Sequence, residues 1–282
     1  MNATNVGVDR SGNFWFWDST DLSVTAITPQ GEHRTVDLSP DVQAIDVDRE
    51  RGIVTLGHDS KSVRVTSFDG AVTSSFELSF LAASLCWMDG DRVAIAPSAS
   101  PWLVEVWSTS SKSAMAMMGA VPEIKAPSAG AVLTRATLLR YDEKRAQLVT
   151  LDAFNGDLLV FDRSGEVVRR ARITHPKLGA NLLWLAELNA RAKRTGEKQT
   201  PSLWNYPRMS LSQDSTVWLG ERGDRTEAVT IARILPDGTV LRSAVDVRPC
   251  PSVRFEIWGD QLVFFRNSKA TQRCVMTKEV KP

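Results

Sequence analysis

Cysteine and histidine are scarce: the 282 residues contain three of each. Cys86, Cys250 and Cys274 are odd in number and far apart, which argues against a disulfide framework and a cysteine-based zinc site. Cys86 and Cys274 read as small buried hydrophobes, and Cys250, between Pro249 and Pro251, as more exposed. His33, His58 and His175 fall in separate segments and form no metal-ligand set. The net charge is +1, so no global field draws the chain to nucleic acid or a membrane surface. No apolar run approaches the ~20 residues of a membrane-spanning helix. The opening Met1-Asn2-Ala3-Thr4 lacks the basic and apolar regions of a signal peptide. No G-x-S-x-G motif and no glycine-rich phosphate loop occurs.

Strand-length apolar runs separated by tight polar turns are present throughout. The turns include Arg10-Ser11-Gly12-Asn13, Phe68-Asp69-Gly70, Arg163-Ser164-Gly165 and Pro236-Asp237-Gly238. Each puts Gly, Asp, Asn or Ser where the backbone must reverse. Runs such as Phe14-Trp15-Phe16-Trp17, Ile53-Val54-Thr55-Leu56 and Thr216-Val217-Trp218-Leu219 are nearly continuous, as burial on both faces requires. The pattern recurs at about 40 residues, the spacing of propeller blades. The expected fold is all-β: a six-bladed β-propeller with a helical insertion between blades four and five and an incomplete last blade. Residues 1–282 form one domain, with blades at 5–38, 43–78, 84–118, 136–173, 208–247 and 252–277.

The Asp9-Arg10-Ser11-Gly12 turn and the hairpins Phe161-Asp162-Arg163-Ser164-Gly165 and Leu235-Pro236-Asp237-Gly238 resemble those of bacterial six-bladed propellers of the NHL-repeat type. The resemblance spans nearly the whole chain and implies the fold without a substrate. WD40 repeats fit less well, because Trp17-Asp18 occurs once and without a Gly-His context. Blade six lacks an outermost strand, and four residues precede blade one. A closing strand is therefore expected from a segment upstream of Met1, where a signal peptide would also have stood. On that basis an extracytoplasmic location is favoured over the cytoplasm.

Each blade has strands a to d from the axis outward. The d-to-a links and b-to-c turns share one face, and the two long links, 119–135 and 174–207, both open there. Long loops cost little stability and often carry function. Within 174–207, Leu178, Leu182, Leu185, Leu188 and Ala192 recur at helical spacing, with Gly196 beyond the end. Between Arg169 and Lys198, eight basic residues face two acidic ones, a local excess of +6. The expected ligand-binding set is Arg135, Trp184, Arg191, Arg194, Trp204, Tyr206, Arg208 and Arg254 on this rim.

The functional expectation is a non-catalytic binding or scaffolding module. Its expected partner is a protein, peptide or glycan, with an anionic small molecule as a lesser option and nucleic acid disfavoured. No cofactor, metal or catalytic residue is expected. Asp18, Asp59, Asp152, Asn155 and Asn267 could face a calcium ion, but Glu221-Arg222 interrupts the ring. His58-Asp59-Ser60 cannot form a relay, because adjacent strand residues point in alternate directions. The alternative is a propeller hydrolase, lactonase or lyase with its site at the channel mouth.

Overall fold

The computed structural model describes residues 6–279 apart from 10, 19–20, 39–40, 49, 99, 122–135, 196–205, 213, 222–227, 249–254, 259–260 and 269–270. Its strands form five four-stranded antiparallel sheets and one three-stranded sheet. Blade one is β1 (Val6–Val8), β2 (Phe14–Asp18), β3 (Ser23–Ile27) and β4 (His33–Asp37). Blade two is β5 (Ala44–Asp48), β6 (Gly52–Leu56), β7 (Ser62–Thr66) and β8 (Val72–Glu77). Blade three is β9 (Ala82–Trp87), β10 (Arg92–Pro97), β11 (Trp102–Ser108) and β12 (Ser113–Ala120). Blade four is β13 (Thr137–Asp142), β14 (Gln147–Asp152), β15 (Asp157–Phe161) and β16 (Val167–Arg172). Blade five is β17 (Arg208–Leu211), β18 (Val217–Glu221), β19 (Ala228–Ile234) and β20 (Val240–Asp246). The last sheet is β21 (Phe255–Trp258), β22 (Gln261–Ser268) and β23 (Thr271–Glu279). Among the described residues there are thus five complete blades, with a three-stranded sheet where a sixth, incomplete blade was expected.

The core is a series of layers between neighbouring sheets. Trp15, Trp17, Ile45 and Ile53 fill the gap between blades one and two. Leu56, Val63, Leu85 and Ile95 fill the next, and Met88, Val104, Leu148 and Phe161 the one after. Leu151, Leu158, Met209 and Leu219 lie between blades four and five. Trp218, Ile231, Phe255 and Phe264 join blade five to the last sheet. Val6, Phe14 and Val263 join that sheet back to blade one. The innermost strands touch in the cyclic order β1, β5, β9, β13, β17, β21. Each large apolar side chain buried this way contributes roughly 1.5–3 kcal/mol. The outer strand β4 has a single buried residue, Val36, because no further strand covers it.

Local chemistry sets the turns. Asp9 Oδ1 accepts the amides of Ser11 and Asn13, and Asp48 Oδ1 accepts those of Glu50 and Arg51. The hairpins after β3, β7, β15 and β19 repeat one form, with Gly31, Gly70, Gly165 and Gly238 at φ of 87–91°. A side chain there would be strained, so glycine marks the same place in four blades. Gly7 is small for a different reason: a Cβ would lie 2.3 Å from Cζ2 of Trp15.

One helix occurs among the described residues, α1 (Leu178–Thr195), between β16 and β17. It is what the described residues hold of the expected 174–207 insertion. Leu178 packs on Phe154 in the b-to-c turn of blade four. Arg191 and Arg194 lie in its last turns, where the helix dipole favours cations. Among the described residues, no helix is long and apolar enough to cross a membrane.

Candidate functional site in the axial mouth

The pairing registers align one position in every sheet. Two residues before the a-to-b turn closes, the inner strands carry Gly7, Asp46, Cys86, Arg140, Ser210 and Glu256. Small residues alternate with charged ones around the axis. The charged residues come from blade two, blade four and the last sheet, and the gaps between them leave room for their side chains. Four of the six, Gly7, Asp46, Arg140 and Glu256, line a cavity of about 650 Å³. The cavity opens on the a-to-b turn face. Around its mouth stand Asp9 and Gly12, Asp48 and Arg51, Glu143 and Lys144, and Trp258. Arg140 also borders a void of about 10 Å³ shared with Ser84 and Arg208. It therefore forms the floor of the wide part of the channel.

The polar network around this floor extends across blades. Arg140 Nη1 donates to the Leu139 carbonyl at 3.1 Å, and Nη2 reaches Glu256 Oε2 at 3.4 Å. Glu256 also accepts from Arg208 and from the Ser210 hydroxyl. Arg208 Nε donates to the Phe255 carbonyl at 2.7 Å and Nη2 to the Val6 carbonyl at 2.6 Å. Asp46 Oδ2 accepts the Trp87 amide at 2.8 Å. Burial pushes Asp46 up to about 6, against the pull of Arg140, of the Trp87 and Val47 amides and of Arg51. Burial likewise raises the Cys86 thiol far above its ordinary value, assisted by the Asp46 charge, so this cysteine is an inert packing group.

One wall of the mouth is aromatic and cationic. The Arg51 guanidinium stacks over Trp87, 5.4 Å from the ring centroid, and pairs with Asp48 at 2.8 Å and with Glu143. Its Nε and Nη1, with the Tyr141 hydroxyl, are buried without a hydrogen-bond partner. Opposite, Trp258 stacks on Phe14 at 5.3 Å and donates Nε1–H to the Gly12 carbonyl at 2.8 Å.

The residues singled out from the sequence are not gathered around this cavity. Tyr206 is fully buried, with its hydroxyl donating to the Ile173 carbonyl at 2.9 Å. It packs edge-on against His175 in the core beside blade four and is no surface contact. Arg208 is 2% exposed and is spent on Glu256 and two carbonyls, because an inner-strand arginine is enclosed by the neighbouring sheets. Trp184, Arg191 and Arg194 are exposed on α1, with Trp184 at 45% and Leu183 beside it at 70%. Arg135, Trp204 and Arg254 lie outside the described residues. Asp59 and Asp152 serve as turn acceptors for nearby amides. The His58 backbone amide donates to Asp41 and the Ser60 hydroxyl to Gln43.

Sequence reasoning missed Asp46, Arg140 and Glu256. The available signal was a single charge inside each apolar inner strand: Ala44-Ile45-Asp46-Val47, Leu138-Leu139-Arg140-Tyr141 and Phe255-Glu256-Ile257.

No protein-family model matches the chain, and no curated protein matches it by sequence. Solved structures match by shape. A member of the duf4221 family from Bacteroides vulgatus aligns with a TM-score of 0.62 at 8% identity, covering 98% of this chain and 93% of its own. A streptogramin B lyase aligns at 0.58 and 9%, covering 99% and 83%. The Cps50 (Swd1) β-propeller domain from Myceliophteria thermophila aligns at 0.57 and 13%, covering 99% and 97%. Identities this low speak to architecture alone, and what this chain shares with these structures is the β-propeller fold.

Proposed function

We propose that this protein is a non-catalytic propeller that holds a ligand in its axial mouth. The observation that carries the reading is the 650 Å³ cavity, lined from both sides of the axis by Asp46, Arg140, Glu256, Arg51 and Trp258. Small-ligand sites fall at about 300–1,000 Å³, with few polar groups converging on them. We read the ring as six-bladed and NHL-like, with the three-stranded sheet as its last blade, since β21 touches both β17 and β1. The opposite face, with Trp184, Arg191 and Arg194 exposed on α1, is the surface for a protein or peptide partner. Together the two faces make a module that couples ligand to partner.

The alternative is a hydrolase or lyase. One feature favours it: burial in the cavity pushes the Asp46 carboxyl up to about 6, in the direction a general acid or base needs. Against it, the other carboxylates of the mouth have committed partners: Asp48 and Glu143 on Arg51, and Glu256 on Arg208.

Variants on the two faces test the reading. Lys144→Trp places a bulky ring at the rim of the mouth, and Leu183→Glu with Trp184→Glu alters α1. Thermal-shift screening of small polar ligands, repeated on both, should lose its hits with the first and keep them with the second. Hits lost only with the helix variant would move the site to the other face.

A further inference from the structure

Not every charge at the mouth is free to meet a ligand. Asp9 and Asp48 cap turns through backbone amides. Asp142 accepts from Arg145 and the Ser215 hydroxyl. Glu143 is paired with Arg51, and Glu256 with Arg208 and Ser210. Two opposite charges remain on the floor with lighter commitments. Among the described residues, Asp46 has no cation within ion-pairing distance and accepts backbone amides alone. Arg140 makes one carbonyl bond and one long contact to Glu256. These two opposite charges line the same cavity and attract each other.

Such a floor presents a hydrogen-bond acceptor and a hydrogen-bond donor in one cavity, which a ligand without net charge can engage together. A cationic ligand would gain at Asp46 and be repelled by Arg140, and an anionic one the reverse. A ligand bearing neighbouring groups that both donate and accept meets both residues at once. Vicinal hydroxyls do this: one donates to the carboxylate while the next accepts from the guanidinium, and both are charge-assisted bonds. The half-buried Trp258, held rigid by Phe14 and the Gly12 carbonyl, offers an apolar plane on the wall.

We propose that the axial mouth is a saccharide site, taking a neutral sugar whose adjacent hydroxyls bridge Asp46 and Arg140 while a ring face lies along Trp258. This rests on the axial mouth being the ligand site, and it adds the chemical class.

The test uses the full chain on a printed array of neutral and anionic glycans, with calorimetric titration of array hits, succinate and putrescine. Asp46→Asn and Arg140→Gln are run alongside, each checked by circular dichroism. The expected result is binding of at least one neutral glycan, weakened about tenfold or more by each variant, as loss of a charge-assisted bond implies. Asp46→Asn preserves volume and an acceptor for the Trp87 amide, so it remains informative if Arg140→Gln fails to fold. Binding of succinate or putrescine alone, abolished by these variants, would refute the sugar class and leave the axial site standing. Neutral-glycan binding that both variants leave unchanged would refute this placement. Silence from every probe with folded protein would overturn both the class and the site.

Discussion

Arg140 on β13 reaches Glu256 on β21 at 3.4 Å, so blade four is tied to the last sheet past Ser210 of the blade between them. Glu256 receives Arg208 in the same cluster, and that arginine also holds the Val6 carbonyl of blade one. Glu256 and Arg208 together therefore link four sectors of the ring near the seam between β1 and β21.

The buried pair predicts a large, asymmetric cost. Glu256→Gln leaves Arg208 charged and buried without its counter-ion, and should destabilise by about 3 kcal/mol. Arg208→Met combined with Glu256→Gln should cost less than the two single changes added together. Urea unfolding of the three variants measures the coupling.

Asp46 predicts a pH dependence. Its value rises from 3.8 to about 6 on folding, so within that window the folded chain keeps a proton the unfolded chain has lost. This group favours folding at low pH, and its contribution is lost as pH rises through about 6. Asp46→Asn should thus raise stability above that pH by roughly 3 kcal/mol and change little below pH ~4. Denaturant midpoints at pH 4 and 7.5 would show it, and equal shifts at both would refute the assignment.

Tyr206 predicts a structural phenotype. Tyr206→Phe removes one buried hydrogen bond to the Ile173 carbonyl and should cost about 1 kcal/mol. Tyr206→Ala should cost about 3–5 kcal/mol through the cavity it leaves. Ligand binding at the axial mouth should be the same in Tyr206→Phe as in the parent chain.

Trp258 predicts the strength of closure. Its ring stacks on Phe14, and its Nε1–H bonds the Gly12 carbonyl. Trp258→Phe should retain the stack and lose about 1 kcal/mol, whereas Trp258→Ala should lose about 3–5 kcal/mol. If hydrogen exchange in Trp258→Ala rises first in β1 and β21, the seam is the part that opens.

The α1 surface predicts the opposite behaviour. Leu183→Gln and Trp184→Gln change exposed positions and should shift stability by no more than about 0.5 kcal/mol. Thermal melts check this, and a larger loss would mean that the helix packs more tightly than its exposure indicates.

The sequence by itself determined the strands, the turns and the all-β propeller class. Those features are local: Asp9 and Asp48 bond amides two to four residues away, and Gly31, Gly70, Gly165 and Gly238 supply backbone angles other residues resist. Burial of runs such as Ile53–Leu56 on both faces was equally legible, because composition carries it. The alternation of Leu178 with later leucines likewise announced α1. Only the tertiary structure decided what surrounds the axis. Asp46, Arg140 and Glu256 are separated by about a hundred residues each, and the local signal, a charge within an apolar inner strand, does not say which charges meet. Their meeting depends on how blades pack and on the register of each inner strand. The same long-range packing buried Tyr206 and Arg208, whose polar chemistry had suggested a surface role, and opened the main cavity on the face with the short turns.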